Sequence, residues 1–226
     1  MEIKYKIEIL ETGQKHEFVL NFDDETYLYQ PEVKENLPKW TELENGKCEN
    51  CPIQGEPYCP AAVNIHDMVG RTKTNISHEE VKVFVVTKDR TIGKKTDLQS
   101  ALFSLMGIVL STSRCPHFKF LRPMGIFHLP FSNLEETMVR TIGFYLTQKY
   151  FDSVLNEEEQ GQIELDGLKE KYASLETVNA GLAARINLAA KGDANKNAIV
   201  TLNLFAQMFS MAIRQDFSLI KKFFKY

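Results

Sequence analysis

The residues in this chain most able to do chemistry are its four cysteines, Cys48, Cys51, Cys59 and Cys115. Cys48-Glu49-Asn50-Cys51 is a C-x-x-C knuckle. Two residues between the sulfurs let a tight turn present both to one ion, at about 2.3 Å for zinc. Cys59 follows after a short Pro-containing stretch, and Cys115 lies much farther along. Proline comes directly after Cys51, Cys59 and Cys115, fixing the chain direction away from each sulfur and removing one backbone donor. Four thiolates satisfy either an all-cysteine zinc site or an iron–sulfur cluster. A zinc ribbon would carry a second C-x-x-C, which is absent, and the spacing matches neither common ferredoxin pattern. Zinc is the preferred reading and an iron–sulfur cluster the alternative. If Cys115 is not a ligand, His66 or His117 can complete a three-Cys, one-His site. A redox dithiol or unligated core thiols are the competing explanations.

A second constellation follows Cys115. The stretch from Pro116 to Phe131 is dense in proline and aromatic residues and holds Arg122 and His128, and it leads into Glu136 and Arg140. Arg140 stands four residues after Glu136, a favourable helical ion-pair spacing. Gathered together, Arg122, His128, Glu136 and Arg140 form a polar pocket able to grip an anion or move a proton. The competing reading has Phe127, Leu129 and Phe131 filling the core while His128 bonds a carbonyl. No nucleophile–base pair is recognisable, and a closed four-thiolate zinc leaves no open position for water, so an enzyme is the less favoured class.

The elements that must position these residues show clear patterns. Ile3, Tyr5, Ile7 and Ile9 alternate with charged residues, and Phe18, Leu20 and Phe22 alternate on a returning segment, which predicts an N-terminal β-hairpin turning at Glu11–Gln14. Val81–Thr87 predicts a further strand. Ala61–Val69 predicts a short helix. Thr96-Asp97-Leu98-Gln99 reads as a capping box for a helix to about Ser111, with Gly107 marking a close approach, and Ser132-Asn133-Leu134-Glu135 repeats the device for a helix to about Phe151. From Leu165 to Ala189 apolar residues recur at alternating spacings of three and four, with Asn179 as the one polar member, and Ile199 to Ile213 continues a second seam. Lys191-Gly192 ends the first helix in this reading and Asp193 caps the next, giving an antiparallel helical hairpin. The expected fold is α+β, with residues 1–152 as a core carrying the four-cysteine site and 153–226 as a helical hairpin that docks on the core or dimerises.

Composition narrows the class. A 43% hydrophobic fraction with 15 Phe supports a real core, so metal is not required merely to rescue a tiny fold. A net charge of -3 offers no basic field for nucleic acid. The uncharged stretches Leu98–Ser113 and Asn197–Ile213 are too short to span a bilayer comfortably, and the N-terminus lacks a signal peptide's apolar run. A cytoplasmic protein is expected, where cysteines hold metal more often than disulfides. Its expected partner is a protein or a second copy, met through the C-terminal helices.

The strings KCENCP, CPAA, TDLQSALFSLMG, LRPMGIFHLPF and EET resemble an uncharacterised bacterial family, a domain of unknown function. The resemblance covers roughly Trp40 to Tyr150. It implies signature positions at Cys48, Cys51, Cys59, Cys115, Arg122, Pro123, His128 and Pro130, and it carries no activity.

Overall fold

Alternation along the first strand has the expected result. In β1 (Glu2–Ile9) Ile3, Tyr5, Ile7 and Ile9 are buried, while β2 (Lys15–Asn21) buries His16, Phe18 and Leu20 on the same side. The other face of β1 and β2 is charged, with cross-strand pairs such as Lys6 with Glu17 and Lys15 with Glu8. β3 (Glu80–Val86) lies antiparallel to β1, and the sheet closes with β4 (Thr91–Asp97), giving the order β2-β1-β3-β4 with all neighbours antiparallel. The structure, a computed structural model, describes every residue except 33–35, 156–163, 216 and 225–226.

Strand β4 is absent from the sequence reading. It is an edge strand, and its residues Thr91-Ile92-Gly93-Lys94-Lys95 are exposed or half-buried, so no apolar alternation advertises it. Its Gly93 sits under the Phe84 ring of β3, with the ring atoms 2.8 Å from where a Cβ would stand.

Among the described residues the α-helices of five or more residues are α1 (Pro60–Arg71), α2 (Leu98–Ser111), α3 (Arg122–Ile126), α4 (Leu134–Leu155), α5 (Asp166–Ala189) and α6 (Ala194–Arg214). Helix α2 packs against β1, β3 and β4, and α1 and α6 pack on α2. The fold is α+β. Both expected capping devices sit one residue later than the sequence suggests. Asp97, not Thr96, caps α2, its carboxylate accepting from the Ser100 N–H at 2.8 Å. At α4 the reciprocal box is made by Asn133 and Glu136: the Glu136 N–H donates to Asn133 Oδ1 at 2.8 Å and the Asn133 N–H to Glu136 Oε2 at 2.9 Å.

Helices α5 and α6 form the expected hairpin, with Leu168, Tyr172, Leu175, Leu182 and Ile186 facing Ile199, Ala206 and Phe209. The Tyr172 and Phe209 rings stack with centroids 3.9 Å apart. One continuous buried cluster joins these residues to those of the sheet and of α2. The turn between the two helices is tied to the loop after α1. The N–H groups of Lys191 and Gly192 donate to Lys73 O, and the Asp193 carboxylate accepts from the Ser77 N–H and hydroxyl. Asp193 thus stands at the start of α6 without capping it, because its side chain is committed to Ser77.

Candidate functional site

The cysteines come from three separate places in the chain, and the local sequence explains each. Cys48 and Cys51 flank a tight turn closed by the Cys51 N–H donating to Cys48 O at 3.0 Å. Cys59 is the residue before α1, and Cys115 holds the same place before a 3₁₀ turn over Pro116–Leu121, so both Cys-Pro pairs put a sulfur at a helix start with proline as the first helical residue. Such ends present unpaired N–H groups and a partial positive charge, which favour a thiolate. At Cys115 the Phe118 N–H donates to Cys115 O at 3.1 Å, and the N–H groups of His117 and Phe118 act to lower the thiol's pKa.

Cys59 and Cys115 are buried, while Cys48 and Cys51 are half-buried. Burial pushes the Cys115 thiol up to about 12, with the charges of Cys59 and Cys48 adding to the rise against the two N–H groups. Burial also raises Cys48, reinforced by Cys59 and Cys51 and opposed by Arg185. The four sulfurs therefore share one electrostatic neighbourhood. A thiol raised in this way, as those of Cys48 and Cys115 are, is a poorer nucleophile. Among the described residues, no group of three or more His, Cys, Asp or Glu side chains stands ready to hold a metal ion.

The surroundings hold the cysteine segments firmly. His117 uses both ring nitrogens, bonding Asn50 O at 2.9 Å through Nε2 and Ser174 Oγ at 2.8 Å through Nδ1, so it braces the C-x-x-C turn against α5 and has no free nitrogen for a metal. His66 spends Nδ1 on Val63 O, in its own helix. Arg185, on α5, is buried among carbonyls and donates to Trp40 O, Glu42 O, Leu43 O and Gly46 O. Sequence reasoning missed it; the one available signal is a lone arginine beside an otherwise apolar seam. On the same helix Gly181 lets Cys48 approach, since a Cβ there would stand 2.7 Å from Cys48 Sγ.

Of the four residues expected to form a polar pocket, Arg140 borders one hollow with His128 and another with Glu136, and Arg122 lines neither. Glu136 completes the α4 capping box, and Arg122 begins α3 with a buried Nε that has no partner among the described residues. His128 and Arg140 do border one cavity of about 140 Å³ between α2, α4, α5 and α6. Arg140 donates to Phe127 O at 2.5 Å and to Ser132 Oγ at 3.4 Å. His128 Nε2 meets the Tyr5 hydroxyl at 2.5 Å, and Tyr5 meets Ser104 Oγ at 2.9 Å. Burial, aided by the charge of Arg140, lowers His128 to about 3, so the imidazole is neutral at physiological pH. Gly107, expected at a close helix contact, instead lines this cavity, and a Cβ there would meet nothing within 4 Å.

A family model described as a domain of unknown function (DUF6901) matches residues 3–225, and the chain belongs to that family. The match takes in the C-terminal helices as well as the cysteine-bearing part. No curated protein and no solved structure matches the chain. Among the described residues no helix is long and apolar enough to cross a membrane.

Proposed function

We propose that Cys48, Cys51, Cys59 and Cys115 hold a zinc ion in a binding or regulatory protein of the reducing cytoplasm, where the metal clamps the 39–59 segment and the Cys115 loop onto α5. The observation that carries this reading is the charge beside the sulfurs. Arg185 is buried, lowers the pKa of Cys48, and has no carboxylate within ion-pair distance among the described residues. A buried cation without an anion is costly. Four thiolates around a divalent ion carry a net negative charge, which would supply the missing counter-charge. The two helix starts and the N–H groups of His117 and Phe118 near Cys115 favour the same ionised state. Such a site is closed to water, so its role is to hold structure.

Elemental analysis of anaerobically purified protein tests this. Near-stoichiometric zinc and a colourless solution are expected, whereas brown protein carrying iron would favour the iron–sulfur alternative. In the Cys51→Ser variant, metal content and Tm are expected to fall together. An unchanged metal-to-protein ratio in that variant would remove Cys51 from the site.

The partner most consistent with the surface is a second copy. Along α6, Val200, Leu204, Met208 and Met211 form an exposed apolar stripe opposite the face that packs on α2 and α5. Light scattering after size exclusion is expected to give a dimer for the wild type and a monomer for Leu204→Glu with unchanged Tm. A wild-type monomer at high concentration would rule out self-association by this stripe.

A further inference from the structure

The cavity between α2, α4, α5 and α6 has walls of one kind and an edge of another. Phe103, Ile108, Leu121, Leu175, Leu202 and Phe205 contribute apolar surface. Polar residues line it too, and His128 and Arg140 stand among them. The Tyr5 hydroxyl lies between Ser104 Oγ at 2.9 Å and His128 Nε2 at 2.5 Å, and the Phe131 N–H donates to Ser104 Oγ at 3.3 Å. In the tautomer in which Tyr5 donates to Nε2, the neutral imidazole carries its proton on Nδ1. That Nδ1–H then has no partner among the described residues.

Arg140 adds a second need. Burial disfavours its charge, while Glu136, one helical turn earlier, partly compensates. Glu136 is occupied by its capping box, and no carboxylate lies within ion-pair distance of Arg140 among the described residues. An apolar chamber with an unpaired imidazole N–H and a partly dehydrated guanidinium matches an apolar body ending in an anionic acceptor. Asn179 also borders the cavity, and its Oδ1 has no partner among the described residues. Rotation of that amide would offer its NH₂ group to the same acceptor. The volume sets the size, since a cavity of roughly 150 Å³ accommodates benzene.

We infer that this cavity binds a small apolar monocarboxylate of about the size of benzoate, its ring or alkyl body among Phe103, Leu175 and Phe205 and its carboxylate between His128 and Arg140. The site is separate from the cysteines and stands or falls independently of the zinc reading.

Titration of the full chain with benzoate, followed by heteronuclear NMR and thermal shift, tests the inference. Saturable binding and a rise in Tm with ligand concentration are expected. Gly107→Leu is the control for location, because a side chain at that position grows into open space and leucine favours a helix over glycine. That variant is expected to keep or raise Tm and its metal content while losing benzoate binding. Arg140→Gln is expected to weaken benzoate about tenfold or more, as loss of a hydrogen bond to a charged group does, and to leave benzyl alcohol little changed. No saturable benzoate binding, or binding that survives Gly107→Leu, would overturn the site. Equal affinity for benzyl alcohol and benzoate, indifferent to Arg140→Gln, would overturn the carboxylate.

Discussion

Replacing Arg185 by methionine is expected to destabilise the fold by on the order of 4 kcal/mol, among the largest losses a single side chain can produce. The guanidinium is buried in α5 and reaches four carbonyls, Trp40 O at 2.6 Å, Glu42 O and Leu43 O at 2.7 Å, and Gly46 O at 3.1 Å. A hydrogen bond to a charged group contributes about 1.5–3 kcal/mol, and a buried acceptor left without a donor costs about 1–3 kcal/mol. The gain from no longer burying a cation offsets part of the sum. Methionine keeps the length of the side chain and fills the space, so the loss reports the donors and the charge more than the volume. Lysine is not expected to rescue the variant, because a single ammonium cannot reach carbonyls spread over a planar fork. Urea unfolding measures the effect. A loss below about 1 kcal/mol would mean that the 40–46 segment is held by something else. If the sulfurs carry zinc, the same variant is also expected to yield its metal to a chelator faster than wild type.

How much of this was legible beforehand depends on what each feature needs. The β-hairpin shows in the sequence because burial on one face writes a period of two into Ile3, Tyr5, Ile7 and Ile9. The α5–α6 hairpin shows for the corresponding helical reason. Strand β4 does not, since an exposed edge strand is formed by backbone pairing to β3, and backbone pairing leaves no mark on residue type. The capping residues were misplaced by one position in both helices because Thr96 and Asp97, like Ser132 and Asn133, are equally good caps on paper. What chooses between them is where the preceding strand or loop ends. The expectation that the cysteines share one site rests on their number and their prolines alone. Arg185, His117 and Tyr5 could not be assigned, since each acts on residues far away in the chain. A cavity is harder still, being a shortfall of packing among several helices. Gly107 signalled that something unusual occurs in α2, but not whether it was a close contact or an empty space.

Gly192→Ala is expected to be nearly as damaging as the loss of Arg185, on the order of 3 kcal/mol, for a reason unlike the usual one for a glycine after a helix. Helix α5 closes at Ala189 with Ala190 extended, and Gly192 is not among the glycines with positive φ, so no left-handed cap demands it. Space demands it. A Cβ at Gly192 would lie 2.1 Å from Asn75 O and 2.7 Å from Thr74 C, and both are backbone atoms that cannot swing aside. The turn between α5 and α6 must then lift from the 73–77 segment. Lifting loosens the bonds from Lys191 N–H and Gly192 N–H to Lys73 O and those from Ser77 to Asp193. Hydrogen bonds of this kind contribute about 0.5–1.5 kcal/mol each when neutral, so losing several accounts for the size of the effect without any change in the core. The matching control is Gly107→Ala, where the Cβ meets nothing and the helix gains roughly 0.5–1 kcal/mol from losing a glycine. Denaturant midpoints that move in opposite directions for these two substitutions are the expected result. A Gly192→Ala protein as stable as wild type would show that the hairpin's turn does not press on the loop after α1.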